Sequence, residues 1–351
     1  MMKKIKYSIA LLFFIVLLGL LVDAGSDLLL YARGYYRSVS EKDNFIQNLP
    51  KNLDRQKYAK YYDDTRALET YYLPYIGGVI RPGEYGIYKI DEFGRREYSY
   101  HASRKQTKSI LVLGASQSFG FYNSSDTTLV YYLAELLPEY RIDNYSSPGQ
   151  EVSQNLANWQ RIHNTKDHHY DLAIIVNGPV DYIVEYAKFK NVKVKERDNE
   201  IALVSFLRLV KNKIKNIVLK SGYDISLRDM EYYETAIPKK IMSGFEDIID
   251  YGADLNVKTL IFIPPSVWGN EDSMDNIRKN ITENEFMNTI ARNLSNLSRK
   301  NSHVIDMSNI FDDKKELFFI DAGSHLTPNG NKILAQKIAR YIKSNDKAFN
   351  K

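Results

Sequence analysis

The chain has 351 residues, of which 44% are hydrophobic and 26% are charged, so it is long enough for one α/β domain with appended segments and too apolar for a disordered protein. Its mean hydropathy of −0.40 excludes a multi-span membrane protein. The 48 basic and 43 acidic residues are nearly balanced, and no basic motif occurs, which argues against nucleic acid as a partner. The absence of cysteine excludes disulfides and cysteine-based catalysis or metal sites, and it fits an exported protein.

The N-terminal segment predicts export. Three lysines within the first six residues precede an uncharged run from Tyr7 to Val22, the charge asymmetry of a signal whose N-terminus stays in the cytoplasm. We expect residues 1–34 to form a cytoplasmic tip and a retained single-span anchor, with the main domain periplasmic or at the cell surface. The alternative is a cleaved signal peptide, because small residues allow cleavage after Ala24, and the domain would then be secreted.

The rest of the chain divides into a lead-in and a domain of alternating strands and helices. Residues 35–106 are polar and rich in tyrosine and turn signals, which predicts a stalk and an irregular lead-in. Over residues 107–345, short runs of Val, Ile and Leu alternate with amphipathic stretches, as in βαβ units. The predicted strands are Ser109–Leu113, Arg141–Tyr145, Leu172–Val176, Thr259–Ile263 and His303–Met307. The predicted helices are Leu129–Leu137, Val152–His163, Ile241–Tyr251, Phe286–Ser298 and Lys332–Ile342.

This pattern predicts the α/β class, as a three-layer α/β/α domain with a five-stranded parallel sheet. In such sheets the functional residues lie in the loops at the carboxyl ends of the strands. Residues 190–240 are predicted to be an insertion between the third and fourth strands. Within it, residues 201–220 carry five basic residues, no acidic one and apolar residues at helical spacing, which predicts a basic amphipathic helix. We expect it to cap the domain; contact with the membrane surface is the alternative.

Two exit loops carry residues suited to nucleophilic catalysis. The first strand leads into a segment of small residues, 114–120, that presents Ser116 in front of a helix. A serine hydroxyl needs a base to remove its proton and donors to stabilise the oxyanion. Of the six histidines, only His325 lies in a recognisable exit loop, just before the last helix. Asp321, four residues earlier, is placed to accept the Nδ1–H of its imidazole.

Three segments resemble the motif blocks of the SGNH hydrolase family, the GDSL-like esterases and acyltransferases, and particularly its membrane-anchored extracytoplasmic members. Gly114-Ala115-Ser116 resembles the first block. Asn144-Tyr145-Ser146-Ser147-Pro148-Gly149 resembles N-x-x-x-P-G, and the segment from Asp321 to Gly330 resembles D-x-x-H-L-T-P-x-G. The resemblance runs from about residue 73 to residue 342, and it implies the flavodoxin-like fold of that family.

The resemblance also implies roles for individual residues. Ser116 would be the nucleophile, His325 the base and Asp321 the acid that orients it. The backbone amides of Ser116 and Gly149 would stabilise the oxyanion. No cofactor or metal is expected, because chemistry through an acyl-enzyme needs no Lewis acid.

Two departures from the family pattern matter. Val180 stands where the third block, G-x-N-D, has an asparagine that donates to the oxyanion, and loss of such a donor typically costs about 10²–10³ in rate. Asn177, three residues earlier, is a tentative substitute, and a purely structural role for it is the alternative. One extra residue also separates Asp321 from His325. If the loop cannot absorb it, the site is a Ser–His dyad.

The sequence therefore supports two functions. The first is an extracytoplasmic esterase or O-acyltransferase that forms an acyl-enzyme on Ser116. Its substrate would be a small ester or an O-acylated cell-envelope glycan, most simply an O-acetylated one, as the family resemblance implies. The second is a catalytically impaired relative that binds a glycan or a protein as a scaffold, and Val180 and the Asp321–His325 spacing motivate it.

Overall fold

The computed structural model describes residues 40–100, 106–165, 169–185, 227–267, 281–312, 316–321 and 323–349. The predicted anchor and the predicted basic helix at 201–220 lie outside these ranges. Within the described ranges, no helix has the length and apolarity needed to cross a membrane. The chain divides into two units, residues 1–59 and 60–351, and the unit that begins at residue 60 contains the sheet.

A five-stranded parallel sheet forms the centre of the larger unit. Its strands are β5 (Lys108–Gly114), β6 (Tyr140–Asn144), β7 (Leu172–Val176), β8 (Lys258–Ile263) and β9 (Val304–Asp306). Their spatial order is β6-β5-β7-β8-β9, so the chain starts next to one edge, adds the edge strand β6 and then crosses back to β7, β8 and β9 in turn. The five predicted strands are thus present, and the predicted three-layer α/β domain is confirmed. Their continuous apolar sequences reflect burial of both faces.

Helices cover both faces of this sheet. On one face, side chains such as Ile110 and Val112 pack with helices α3 (Leu129–Leu136) and α7 (Pro328–Phe349). On the other face, Leu111 and Leu113 pack with α4 (Val152–Thr165), α5 (Leu227–Asp254) and α6 (Ile281–Ser298). Neighbouring residues of β5 contribute to opposite cores because side chains alternate along a strand. A four-residue helix, α2 (Ser116–Phe119), follows β5 directly.

The lead-in contains more regular structure than predicted. It includes helix α1 (Arg55–Arg66) and two antiparallel hairpins. The first hairpin pairs β1 (Thr70–Leu73) with β2 (Gly77–Ile80), and the second pairs β3 (Gly83–Tyr85) with β4 (Tyr88–Ile90). Ile80, Tyr88 and Ile90 are buried together with Phe119 of α2, so this segment packs against the turn that carries Ser116. Its apolar side chains are few and widely spaced, which is why the sequence pattern did not reveal the strands.

The predicted insertion also ends earlier than expected. The prediction extended it to residue 240 and began the next helix at Ile241, whereas α5 begins at Leu227. Pro238 lies inside this helix, and a proline is normally a sign that a helix has ended. Buried Ile237, Ile241 and Phe245 fix the helix against the sheet on both sides of the proline.

Candidate functional site

Ser116 lies at the carboxyl edge of the sheet, immediately after β5. Gly114 makes the sharp turn possible: its φ is 149°, and a Cβ atom there would overlap the Val176 carbonyl oxygen of the neighbouring strand. The side chain of Ser116 is half-buried and makes no hydrogen bond to another described residue. Ser118, two residues later, is fully buried and donates its hydroxyl to the Ala115 carbonyl at 3.1 Å. The turn therefore presents Ser116, rather than Ser118, as the accessible hydroxyl.

Asp321 and His325 form a close pair despite the extra residue between them. The imidazole Nδ1 lies 2.7 and 2.9 Å from the two carboxylate oxygens, and the His325 backbone amide donates to the same carboxylate at 3.2 Å. The loop absorbs the additional residue through Ser324, whose φ of 65° lies in the left-handed region. A bond from Ile320 N to His325 O, at 2.7 Å, closes it. The contact between the Asp321 carboxylate and His325 Nδ1 fixes the tautomer in which Nδ1 carries the proton and Nε2 is free to act as a base.

Buried contacts hold the Ser116 turn and the His325 loop together. Gln117, next to Ser116, donates its side-chain amide to the carbonyls of Ser324 at 2.7 Å and Pro265 at 2.9 Å. The His325 ring packs against Phe121 at 5.0 Å between centroids. The Phe121 amide in turn donates to the Ser116 carbonyl at 3.0 Å. Ser116 and His325 thus share one edge of the sheet, although no hydrogen bond joins their side chains in this structure.

Tyr122 borders the Asp–His pair and was not singled out from the sequence. Its ring meets the His325 imidazole edge-on at 5.3 Å, and its φ is 55°. Burial, together with the negative charge of Asp321, raises the pKa of the Tyr122 hydroxyl, so this group stays neutral beside the carboxylate. With Phe121, it forms an aromatic wall that limits the rotation of the imidazole.

The two predicted backbone donors lie on neighbouring loops. Ser147 N donates to the Gly114 carbonyl at 3.1 Å, which ties the exit loop of β6 to the Ser116 turn. Gly149, two residues further on, is exposed, and a Cβ added to it would meet no atom within 4 Å. The amides of Ser116 and Gly149 donate no hydrogen bond to another described residue. Neither amide is therefore committed to another described residue, and the oxyanion role predicted for both stays a prediction. Asn144 is structural: it donates to Ser118 O at 3.0 Å.

The tentative donor role of Asn177 is not supported. Its side chain is 1% exposed, and Nδ2 donates to the Gln150 carbonyl at 3.1 Å, because the strand pleat turns it inward. Asp181 has a similar structural role: its carboxylate accepts hydrogen bonds from the backbone amides of Val152 at 2.7 Å and Gly178 at 3.1 Å. Both residues therefore anchor the loop that carries Gly149. Val180 is half-buried in the first turn of a helix over 179–185.

Arg96 supports the Ser116 turn and was not predicted to do so. Its guanidinium is buried without a carboxylate and donates to the backbone carbonyls of Phe119, Gly120 and Asn123. Burial lowers its pKa to about 10. It also lies over the Tyr88 ring at 4.5 Å. An arginine aimed at the end of α2 fixes that helix without occupying the cleft, a role that depends on contacts 23 or more residues apart.

The described residues also line an open pocket of about 750 Å³ at the opposite edge of the sheet, where the strands begin. Two of the polar groups lining it have protein partners: Asp171 accepts a hydrogen bond from Ser109 N at 2.7 Å, and His303 Nδ1 lies 2.9 Å from Thr259 O. Since ligands of parallel α/β sheets bind at the carboxyl ends of the strands, we place the site at Ser116. No cluster of three or more His, Asp or Glu side chains suited to a metal ion occurs within the described ranges.

No protein-family model and no curated protein matches the chain, but solved structures do. A member of the lipolytic protein G-D-S-L family from Veillonella parvula is 13% identical, with a TM-score of 0.42 over 67% of this chain and 97% of its own. An acetylxylan esterase from Geobacillus stearothermophilus, solved as a catalytic mutant, is 15% identical, with a TM-score of 0.42 over 68% and 95%. A lipase/acylhydrolase from Enterococcus faecalis is 16% identical, with a TM-score of 0.39 over 68% and 97%.

The chain is thus similar to lipolytic proteins of the G-D-S-L type, the family that its motifs resemble.

Proposed function

We propose that the chain is a serine acyl-ester enzyme, a hydrolase or O-acyltransferase, with Ser116 as its nucleophile. The observation that carries this proposal is the Asp321–His325 pair, 2.7 Å apart, on the same carboxyl edge of the sheet as the half-buried Ser116, to which the Gln117–Ser324 contact ties it. An oriented imidazole next to an accessible serine and two free amides is the minimum that acyl transfer requires.

The reaction follows from these positions. His325 Nε2 removes the proton of Ser116 Oγ as this oxygen attacks the acyl carbonyl carbon, and the amides of Ser116 and Gly149 stabilise the resulting oxyanion. The tetrahedral intermediate collapses, and the alcohol leaves with the proton that His325 returns. Water or a second hydroxyl then attacks the acyl-enzyme with His325 again as base, which releases the acyl group and restores Ser116. Asp321 stabilises the imidazolium in both halves.

The free structure lacks one contact of this cycle, the hydrogen bond from Ser116 to His325. In free enzymes such bonds are often long and shorten only when substrate binds. A rotation of the serine side chain between its staggered positions is sufficient to redirect the hydroxyl. The Asp–His pair, by contrast, is already formed in this structure.

We further propose that the substrate is an O-acylated, and specifically O-acetylated, cell-envelope glycan outside the membrane. Three N-terminal lysines before an uncharged run support this location, and the absence of cysteine is consistent with it. The acetylxylan esterase among the similar structures acts on an acetylated glycan, which motivates the choice of acyl group. Fusion of alkaline phosphatase after residue 351 tests the location, since this enzyme is active only outside the cytoplasm.

A serine-directed fluorophosphonate probe tests the chemistry. We expect it to label the wild type and Ser118→Ala but not Ser116→Ala, because only the Ser116 hydroxyl is accessible. The matched Ser118 variant controls for perturbation of the same turn. His325→Ala should abolish both labelling and turnover of 4-nitrophenyl acetate with the melting temperature nearly unchanged. Labelling that persists in Ser116→Ala, or is absent from a folded wild type, would contradict the proposal.

The second candidate, a binding scaffold without turnover, is favoured by one observation. Val180 offers no side-chain donor where the family pattern has one, and the nearby Asn177 amide is committed to Gln150. The oxyanion would then rest on two backbone amides alone. A wild type that binds an acetylated oligosaccharide but neither reacts with the probe nor hydrolyses a small ester would establish this alternative.

A further inference from the structure

Two tyrosines of the β1–β2 hairpin are exposed to an unusual degree. Tyr72 is 76% exposed and Tyr75 is 90% exposed, and Phe93, at 38%, is the next most exposed large apolar side chain in the described ranges. Neither tyrosine makes a ring contact or a side-chain hydrogen bond with another described residue. Exposed aromatic rings contribute nothing to the core, so packing does not account for them.

Tyr75 also occupies a backbone conformation that costs stability. It lies in the turn from Leu73 to Ile76, which the Ile76 N to Leu73 O bond closes at 3.2 Å, and its φ is 66°. Pro74 occupies the second position of this turn, and the third position then favours glycine, because a residue with a Cβ atom is strained there. A ring that is 90% exposed gains no packing that would offset this strain. A strained residue without a packing role is a candidate for a function.

The hairpin is attached to the loop of the proposed oxyanion donor. Ser147 Oγ donates to the Gly78 carbonyl at 3.3 Å, while the Ser147 amide binds the Gly114 carbonyl of the nucleophile turn. Tyr72 pairs directly with Gly78 in the hairpin register. Because Gly78 has no side chain and is itself exposed, the face beside Tyr72 is open. The hairpin that carries both tyrosines is therefore attached through Gly78 to the loop on which Gly149 lies.

The chemistry of this surface suits a saccharide better than a lipid or a protein. Residues 69–81 contain one acidic and one basic residue, Glu69 and Arg81, so the hairpin has no net charge to attract anionic lipids. The surface of two tyrosine rings is also much smaller than the roughly 800 Å² that each partner contributes to a stable protein interface. Tyrosine combines an apolar face, which packs on the C–H face of a pyranose, with a hydroxyl that hydrogen-bonds to sugar hydroxyls.

We propose that Tyr72 and Tyr75 form a glycan-binding platform that holds the sugar units next to the one whose acyl group reaches Ser116. The inference rests on the proposed function for the location of the acyl group. The binding of sugar itself is independent of turnover.

The test measures binding and turnover separately in the full-length chain. Binding is measured calorimetrically with three unacylated tetrasaccharides, the β-1,4-linked oligomers of xylose, glucose and N-acetylglucosamine. Turnover is measured with 4-nitrophenyl acetate and with the acetylated form of the oligomer that binds. The variants are Tyr72→Ala and Tyr75→Gly. The matched control is Tyr131→Ala, because Tyr131 lies on helix α3 rather than on the hairpin and its hydroxyl donates to the Glu135 carboxylate at 2.9 Å.

We expect at least one tetrasaccharide to bind the wild type. Each hairpin variant should weaken the binding of this tetrasaccharide about fivefold or more, the usual effect of truncating an aromatic anchor. Each should also raise KM for the acetylated oligomer without changing the hydrolysis of 4-nitrophenyl acetate. Tyr75→Gly should also raise the melting temperature by about 2 °C by relieving the backbone strain. A gain in stability with a loss of affinity cannot arise from misfolding.

Several results would overturn the platform. The proposal is wrong if none of the three oligomers binds, if both hairpin variants keep the wild-type affinity, or if Tyr131→Ala loses as much affinity as the hairpin variants do. Binding of phosphatidylglycerol vesicles that depends on Tyr75, without sugar binding, would assign the hairpin to the membrane instead. Failure of the proposed function looks different: the small ester is then not hydrolysed by the wild type, while the tetrasaccharide affinities and their dependence on the hairpin are unaffected.

Discussion

Asp181 makes the stability of the fold depend on pH in a direction opposite to that of most carboxylates. It is fully buried, and burial raises its pKa to about 7 from an ordinary value of 3.8, although backbone amides of Val152 and Gly178 donate to it. The neighbouring Glu151 adds to the shift. Below pH 3.8 both the folded and unfolded chains hold the proton. Between pH 3.8 and 7 only the folded chain holds it, so the free energy of unfolding falls as pH rises, and the contribution of Asp181 to it is fully lost above pH 7.

The size of the effect follows from the two pKa values. A difference of about three pH units corresponds to at most about 4 kcal/mol, of which about 2–3 kcal/mol falls between pH 5 and pH 7. Asp181→Asn removes this contribution because the amide does not titrate. Its Nδ2 must face one backbone N–H, which costs about 1–3 kcal/mol at every pH. The free energy of unfolding of the variant, relative to that of the wild type, should therefore rise by about 2–3 kcal/mol between pH 5 and pH 8.

Urea unfolding of both proteins, followed by circular dichroism at pH 5, 6, 7 and 8, measures this difference, and other titrating groups cancel in it. Asp143→Asn is the control. That carboxylate is also buried, but it contacts Arg95 at 2.9 Å and the Tyr170 hydroxyl at 2.9 Å, so its loss should destabilise the fold through these two contacts. Parallel pH profiles for the wild type and Asp181→Asn would refute the reasoning. Because Asp181 anchors the loop of Gly149, the variant should also lower kcat more than it changes KM.

Three further substitutions test the site. Val180→Asn should raise kcat for a small ester by up to about 10²-fold if the amide reaches the oxyanion, and a slower or less stable variant would mean that the third block is misaligned. Asp321→Asn should lower kcat by about 10³–10⁴-fold, because the amide stabilises the wrong tautomer of His325; a loss below tenfold would leave a Ser–His dyad as the working site. Arg96→Met should lower the free energy of unfolding by about 3 kcal/mol, since it leaves buried carbonyls without donors, and an unchanged melting curve would argue against its role.

Much of the fold is present in local patterns. The first strand was predicted as Ser109–Leu113 and is Lys108–Gly114, because a run buried on both faces has a continuous apolar sequence. The candidate residues Ser116, His325 and Asp321 were also identified locally, since small residues and strand exits mark turns that present side chains. The Asp321–His325 contact itself depended on the left-handed φ of Ser324, which no residue type there required.

The sequence alone determined the five strands of the parallel sheet and marked Ser116, His325 and Asp321 as the candidate nucleophile, base and acid, because each depends on residues close together in the chain. Tertiary structure decided what supports them. Gln117 meets Ser324 across 207 residues, Arg96 holds the nucleophile turn, and the inward direction of Asn177 is set by its neighbours. Such roles arise from burial and hydrogen bonding between distant segments, and polar residues that make these contacts resemble surface residues until the chain is folded.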